Sequence, residues 1–108
     1  MASYNTAVTM VDEFMAGATK SRIKRQSLYI DRNGAHGSGL YSYGNHYPVL
    51  LETPVGFLVN MTNKSVTTST QRNGVLYALE LLGYKKTGIE DYRLRIESNF
   101  CLFTLSQG

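Results

Sequence analysis

The side chains best suited to catalysis or metal binding are few and widely spaced. The chain has two histidines, His36 and His46, and one cysteine, Cys101. A tetrahedral zinc site needs three or four ligands and usually shows paired ligand spacing, which these positions lack. Cys101 lies in the apolar run 100–103, where a free thiol packs as a small hydrophobic group. We therefore predict no cofactor, no metal site and no enzymatic activity.

A hydrolase or nuclease that uses His36 or His46 is a third hypothesis for the function. It requires turnover that depends on pH or metal and that disappears when the histidine is replaced. Glu52 and either Glu90 or Asp91 are the available pair of acid-base carboxylates. Nothing in their spacing brings the two groups together, so the sequence favours a binding protein over an enzyme.

An aromatic and glycine-rich stretch at 40–48 is the best candidate for a binding surface. Three tyrosines fall within seven residues beside His46, a composition suited to stacking on bases or to a protein-binding hot spot. On a strand Tyr41 and Tyr43 share one face, so at least one of them can pack inward with its hydroxyl at the rim. His46 either bonds the hydroxyl-rich segment 65–70 as a structural group or belongs to the binding surface.

Basic residues are concentrated in the middle of the chain. The formal net charge is +3, but residues 20–86 contain nine basic side chains against three acidic ones, a local charge of +6. Such a distribution favours an acidic partner, either nucleic acid or an acidic protein surface. A solvated sheet edge is the structural alternative. The candidate electrostatic contacts are Lys20, Arg22, Lys24, Arg25 and Arg32.

Two helices are predicted from apolar periodicity. Apolar residues at 5–18 recur at spacings of three and four, which predicts a helix with one buried face. The second helix is predicted from Ser69 or Thr70 to Leu82, with Gly83 ending it. Its apolar stripe consists of Val75, Leu76, Leu79 and Leu82.

About five strands are predicted between the helices and two after them. The charged segment 20–30 reads as an edge strand or arm, and the glycine-rich segment 31–39 as a loop. The later segments are a hairpin of 47–51 and 55–61, a short strand at 65–68, a basic loop at 84–88, and strands at 92–97 and 100–105. The last strand is apolar on both faces, which predicts a position inside the sheet.

These elements predict a single α+β domain over 1–108, with an antiparallel sheet of about five to seven strands and two helices packed against it. The composition, with 43% hydrophobic and 18% charged residues, is that of a globular protein. No apolar run approaches the roughly 20 residues that span a bilayer. The N-terminus lacks a basic segment followed by an apolar one. We expect a cytoplasmic protein without a membrane partner.

The segment 40–72 resembles small domains of phages and bacterial mobile elements. The resemblance is carried by the motif Tyr41-Ser42-Tyr43-Gly44-Asn45-His46, an apolar hairpin ending at Asn60, and Lys64-Ser65-Val66-Thr67-Thr68. In those relatives a further histidine follows the two threonines, where this chain has Thr70-Gln71. That difference argues against a two-histidine site. The resemblance implies a phage or mobile-element context and carries no established activity. In size and composition the chain also looks like small phage proteins that bind host machinery, such as anti-CRISPR proteins.

The leading hypothesis is a non-enzymatic, phage-type protein that inhibits a host defence or nucleic-acid-handling complex by covering a binding surface. Its partner would be a host protein or ribonucleoprotein complex. The alternative is a small module that binds DNA or RNA directly through the same side chains. A homodimer formed through the strand at 100–105 is a further possibility. The predicted contacts are the five basic residues above together with Tyr41, Tyr43 and His46.

Overall fold

A computed structural model describes residues 2–20, 28–34, 36–42, 47–54, 56–62, 66–89 and 100–105. It contains the helices α1 (Ala2–Met15) and α2 (Val66–Leu81), and the strands β1 (Leu28–Gly34), β2 (Gly37–Ser42), β3 (Tyr47–Thr53), β4 (Gly56–Asn60), β5 (Tyr84–Ile89) and β6 (Phe100–Leu105). The six strands form one sheet in the order β1-β2-β3-β4-β6-β5, with every neighbouring pair antiparallel. The predicted α+β fold is confirmed.

Both faces of the central strands are buried. Successive residues on a strand point to opposite faces, and on β3 and β4 both alternating sets are apolar. Leu50 and Val59 belong to the cluster that includes the helices, whereas Leu51 and Leu58 belong to a second cluster. The helix-side cluster is formed by Ala7, Met10, Val11, Phe14, Leu28, Ile30, Leu40, Val49, Leu50, Phe57, Val59, Val75, Ala78 and Leu79.

The strand β6 lies inside the sheet, as its two apolar faces predicted. It pairs with β4 through Leu58 and Leu102 and with β5 through Lys86 and Phe103. Cys101, also on β6, is buried, as expected for a thiol that packs as a hydrophobic group. Because both edges of β6 are already hydrogen-bonded, the alternative of a dimer paired through this strand is not supported.

Several predicted boundaries were wrong. The segment predicted as a strand at 65–68 begins α2 at Val66, and Thr68 is buried there, because packing outweighs the weak strand preference of threonine. The predicted basic loop at 84–88 is β5, since its backbone pairs with β6. The predicted glycine-rich loop at 31–39 is largely strand, since Gly34 on β1 pairs with Gly37 on β2.

The end of α1 differs from the prediction, whereas the glycine predicted to end α2 follows that helix. The helix predicted to reach residue 18 ends at Met15, and Gly17 follows with a φ of 93°. Gly83, with a φ of 90°, follows α2 where the sequence predicted a glycine terminator. The predicted strand at 92–97 and most of the predicted arm at 20–30 lie outside the described residues.

The two helices approach each other closely at Gly74. A Cβ atom at this position would lie 2.5 Å from the Tyr4 carbonyl oxygen and 2.8 Å from the Ala7 Cβ. The Tyr4 and Tyr77 rings continue the contact, with centroids 5.9 Å apart. Glycine is therefore required here by helix packing, although it has a low helix propensity.

Replacing Gly74 with alanine tests this contact. Alanine restores about 1 kcal/mol of helix propensity, but forced overpacking costs about 1–3 kcal/mol. Because one of the crowded atoms belongs to the backbone, we expect the overpacking cost to exceed the gain in propensity. Gly74→Ala should therefore lower the free energy of unfolding, measured by urea denaturation. The exposed neighbour Asn73 provides the control, since Asn73→Ala should leave stability unchanged or slightly higher. Equal stability of Gly74→Ala and wild type would contradict the close packing.

Candidate functional site

The structure describes three of the eight predicted contact residues, namely Lys20, Arg32 and Tyr41. Lys20 is exposed, just beyond the end of α1. Arg32 and Tyr41 are both engaged within the fold, in different places. The remaining predicted contacts lie outside the described residues: Arg22, Lys24, Arg25, Tyr43 and His46.

Arg32 joins β1 to the end of α1. Its Nε donates a hydrogen bond to the Ala18 carbonyl oxygen at 3.0 Å, and its Nη2 donates to the Phe14 carbonyl oxygen at 2.7 Å. The guanidinium carbon lies 3.9 Å from the centroid of the Phe14 ring. A cation is favourable at this end of a helix, where carbonyl groups lack intrahelical partners.

The remaining side of the Arg32 guanidinium faces an acid. Its Nη1 lies 4.0 Å from Glu52 Oε1, at the edge of ion-pair distance. Such a partly exposed pair adds little stability by itself. Arg32 therefore has a structural role, because two carbonyl groups, an aromatic ring and a carboxylate surround its charge. Its predicted contact with a partner stays a prediction.

Tyr41 lies in the second apolar cluster and is only 1% exposed. Its hydroxyl donates to the Gly37 carbonyl oxygen at 2.7 Å and accepts from the His36 backbone N–H at 3.1 Å. Its ring stacks on Tyr29, with centroids 6.0 Å apart. The structure thus contradicts Tyr41 as an exposed contact, because a buried ring cannot stack on a partner.

Burial also controls the ionisation of Tyr41. Loss of solvation raises the pKa of its phenol above the usual value, opposed by the hydrogen bond from the His36 backbone. Tyr41 packs inward, and its hydroxyl bonds Gly37 at the end of the hairpin. This is one of the arrangements expected from the alternation of side chains. It closes the turn between β1 and β2.

Of the five exposed large apolar side chains in the described ranges, Val66 begins α2, and the other four lie in the last turns of α2, just after it, or at the end of β6. Tyr77, Leu81, Leu82 and Leu105 are between 42% and 65% exposed, and we call these four residues the end patch. Tyr77 and Leu81 are one turn apart on α2. Leu105 pairs with Tyr84, and its Cδ2 lies 4.0 Å from the point where a Gly83 Cβ would be.

A cleft of about 470 Å³ opens beside the end patch. Its lining includes Phe57 and Tyr84, whose rings meet edge to face with centroids 5.2 Å apart. Leu105 belongs both to the cleft and to the end patch, and Glu52 supplies a carboxylate. The volume of the cleft is in the range of small-molecule pockets, and its lining combines apolar side chains with the Glu52 carboxylate and threonine hydroxyls.

Two lysines lie next to the end patch. Lys85 and Lys86 lie on β5, which begins directly after Gly83, and both are exposed. The sequence pattern predicts a loop at these two lysines and a place for Leu82 in the apolar stripe of α2. Leu82 is exposed because α2 ends at Leu81 and the chain turns at Gly83. The signal that could have revealed the patch is Leu81-Leu82 directly before a helix-ending glycine, with two lysines after it.

Groups suited to metal binding are not clustered in the described part of the chain. No three histidine, cysteine, aspartate or glutamate side chains lie together there. No helix in the described ranges has the length and apolar character needed to cross a bilayer. No protein-family model, curated protein or solved structure matches the chain.

Replacing Tyr41 with phenylalanine removes one hydroxyl from the turn. The change leaves the Gly37 carbonyl and the His36 N–H without this partner, so the free energy of unfolding should fall by about 1–3 kcal/mol. Urea denaturation measures it. The partly exposed Tyr77 provides the control, since Tyr77→Phe should change stability by less than about 0.5 kcal/mol.

The raised pKa of Tyr41 predicts a dependence on alkaline pH. Its contribution to stability is fully present below the ordinary tyrosine pKa of about 10. It is lost as the pH rises through the higher pKa of the folded state. Wild type should therefore lose more stability than Tyr41→Phe as the pH rises above about 10. Parallel pH profiles for the two proteins would contradict this role of Tyr41.

Replacing Arg32 with lysine keeps the charge but removes the planar group that reaches two carbonyls. Lysine cannot reproduce both hydrogen bonds in this geometry, so the free energy of unfolding should fall by about 1–3 kcal/mol. Hydrogen exchange at the end of α1 should also become faster. Lys20→Ala, at an exposed lysine, is the control and should have little effect. An unchanged exchange rate in Arg32→Lys would show that α1 does not depend on this contact.

Proposed function

We propose that the chain is a non-enzymatic protein-binding domain that acts by covering a surface of its partner. The observation that supports the proposal is the end patch, whose four large apolar side chains are each 42–65% exposed, with Leu105 beside Gly83, the residue that follows Leu82. Single exposed apolar residues are ordinary on protein surfaces, whereas a group of them marks an interaction site. The adjoining cleft adds a concave surface next to Leu105.

The basic charge close to the end patch favours an acidic partner. Lys85 and Lys86 are exposed on β5, three and four residues after Leu82, whereas Glu80 is the exposed acid beside Leu81. This agrees with the excess of basic residues between 20 and 86. Charge at the rim steers association and selects partners more than it adds affinity.

Direct binding of DNA or RNA is the alternative. The exposed lysines would serve it, with Lys20, Lys85 and Lys86 contacting phosphates. The burial of Tyr41 counts against it, because one of the predicted stacking rings is inside the fold. The apolar character of the end patch also suits a protein better than a phosphate backbone.

The resemblance of residues 40–72 to phage and mobile-element domains supports a narrower proposal. On that basis the partner is a host defence or nucleic-acid-handling complex in the bacterial cytoplasm, and the domain is an inhibitor of the anti-CRISPR type. The predicted contacts outside the described residues, including Tyr43 and His46, belong to this proposal as further candidates.

Binding to nucleic acid should be measured first, with a random duplex and a random single strand at about 50 and about 200 mM salt. A protein-binding domain should bind both weakly at either salt concentration. Tight binding that falls by about a hundredfold or more across this range would favour the nucleic-acid alternative, because phosphate contacts release counterions.

Binding to purified CRISPR effector complexes should be compared between wild type and Leu81→Ser/Leu105→Ser. Both substitutions remove apolar area from the end patch without opening the core, so affinity should fall by about tenfold or more. Val66→Ser is the matched control, because Val66 is 83% exposed but lies at the opposite end of α2. A double variant that binds like wild type would show that the end patch is not the contact surface.

A further inference from the structure

The outer edge of β5 is open in the part of the chain that the structure describes. The strand is the last in the sheet order and pairs there with β6 alone. A strand at a sheet edge presents backbone N–H and C=O groups that a further strand can use. The regular pairing runs from Tyr84 to Lys86, before a shift in register.

The side chains on this edge limit which strand can add to it. Lys85 and Lys86 are adjacent in sequence and therefore project to opposite faces of the sheet. Both are exposed, and neither forms an ion pair among the described residues. A strand beside β5 would have an ammonium group next to it on each face, which favours carboxylate side chains at the facing positions.

A second copy of this chain is a poor occupant of the edge. Antiparallel pairing of β5 with itself would place the lysine pairs of both copies close together, and like charges on neighbouring strands are destabilising. Lysines on edge strands are a general protection against this kind of self-association. The same charges attract a strand of opposite sign.

The end patch extends this surface beyond the start of β5. Leu82 precedes Gly83 and Tyr84 in the chain, and Leu105 pairs with Tyr84. Leu105 lies on β6, on the inner side of β5, so an extended segment that runs along the outer edge and continues past Tyr84 is directed towards the exposed Leu82. The occupant that fits this edge is acidic where it pairs with the lysines and apolar where it passes Leu82.

We propose that β5 binds an extended acidic segment of a partner protein, which adds to the sheet as a seventh strand beside Lys85 and Lys86. This rests on the proposed protein-binding function and specifies its geometry. Backbone hydrogen bonds to the strand supply affinity and the alternate side chains supply selectivity, as in other complexes formed by strand addition.

Three fluorescein-labelled octapeptides test the proposal by fluorescence anisotropy. The first, the glutamate-valine peptide, has pairs of adjacent glutamates separated by pairs of valines, so that carboxylates lie on both faces of the strand. The second, the lysine-valine peptide, has lysine in place of each glutamate, and the third has the acidic sequence with proline in place of valine. The glutamate-valine peptide should bind about tenfold or more tightly than the other two, because it alone combines negative charge with a complete set of backbone N–H donors. Equal binding of the proline peptide would reduce the interaction to charge alone and overturn the proposal.

Charge reversal on β5 provides the matched variant. Lys85→Glu/Lys86→Glu should lose at least about tenfold in affinity for the glutamate-valine peptide and should favour the lysine-valine peptide. Lys20→Glu reverses an exposed lysine elsewhere and should keep the wild-type preference. Circular dichroism confirms that the exposed substitutions leave the fold intact. Wild-type binding by the β5 variant would overturn the proposal.

Hydrogen exchange gives an independent readout of strand addition. The glutamate-valine peptide should slow exchange of backbone amides within residues 84–87, which a purely electrostatic contact would not do. Binding without this protection would overturn the proposal. Loss of effector binding in Leu81→Ser/Leu105→Ser together with no peptide binding would leave the protein-binding function standing and reject strand addition. Peptide binding at β5 with no effect of the end-patch variant would reject the end patch alone.

Discussion

The burial of both faces of the central strands is the constraint on which the rest of the structure depends. Leu50 and Leu51, consecutive on β3, enter different apolar clusters, and fully burying one leucine side chain contributes about 1.5–3 kcal/mol. One cluster requires the two helices and the other fills the opposite face. A shift of one residue in the register of a central strand would move its side chains from one cluster to the other. The strand register and the helix position therefore depend on each other.

Contacts at the ends of the elements complete this arrangement. Gly74 sets how closely α1 and α2 approach, and Arg32 holds the end of α1 against β1. Tyr41 closes the first hairpin from the second cluster. Arg32 and Tyr41, predicted from the sequence as contacts for their charge and aromatic character, thus stabilise the fold, whereas Lys20 is exposed. The exposed apolar and basic side chains lie elsewhere, on the end patch and β5.

The sequence predicted the parts of the fold that depend on long apolar patterns. The α+β class, the hairpin of β3 and β4 and the internal position of β6 follow from alternation and from apolar residues on both faces. It did not predict β5, because Tyr84-Lys85-Lys86 has loop-like polarity and pairs only when β6 is beside it. Leu82 is exposed because α2 ends before it, and Tyr41 is buried because of the hairpin it belongs to. Neither property can be predicted from the residue type alone.

The position of β6 has a consequence for how the chain folds. Strands β1 to β4 are joined by short connections, and their pairings form a local meander. The β4–β6 ladder instead pairs residues that are far apart in the sequence, such as Phe57 and Phe103. Its formation therefore has a larger entropic cost of loop closure. Until β6 pairs with β4, the edge of β4 that β6 occupies presents unpaired backbone groups. The time that β6 takes to pair therefore sets how long this apolar edge is open to other chains.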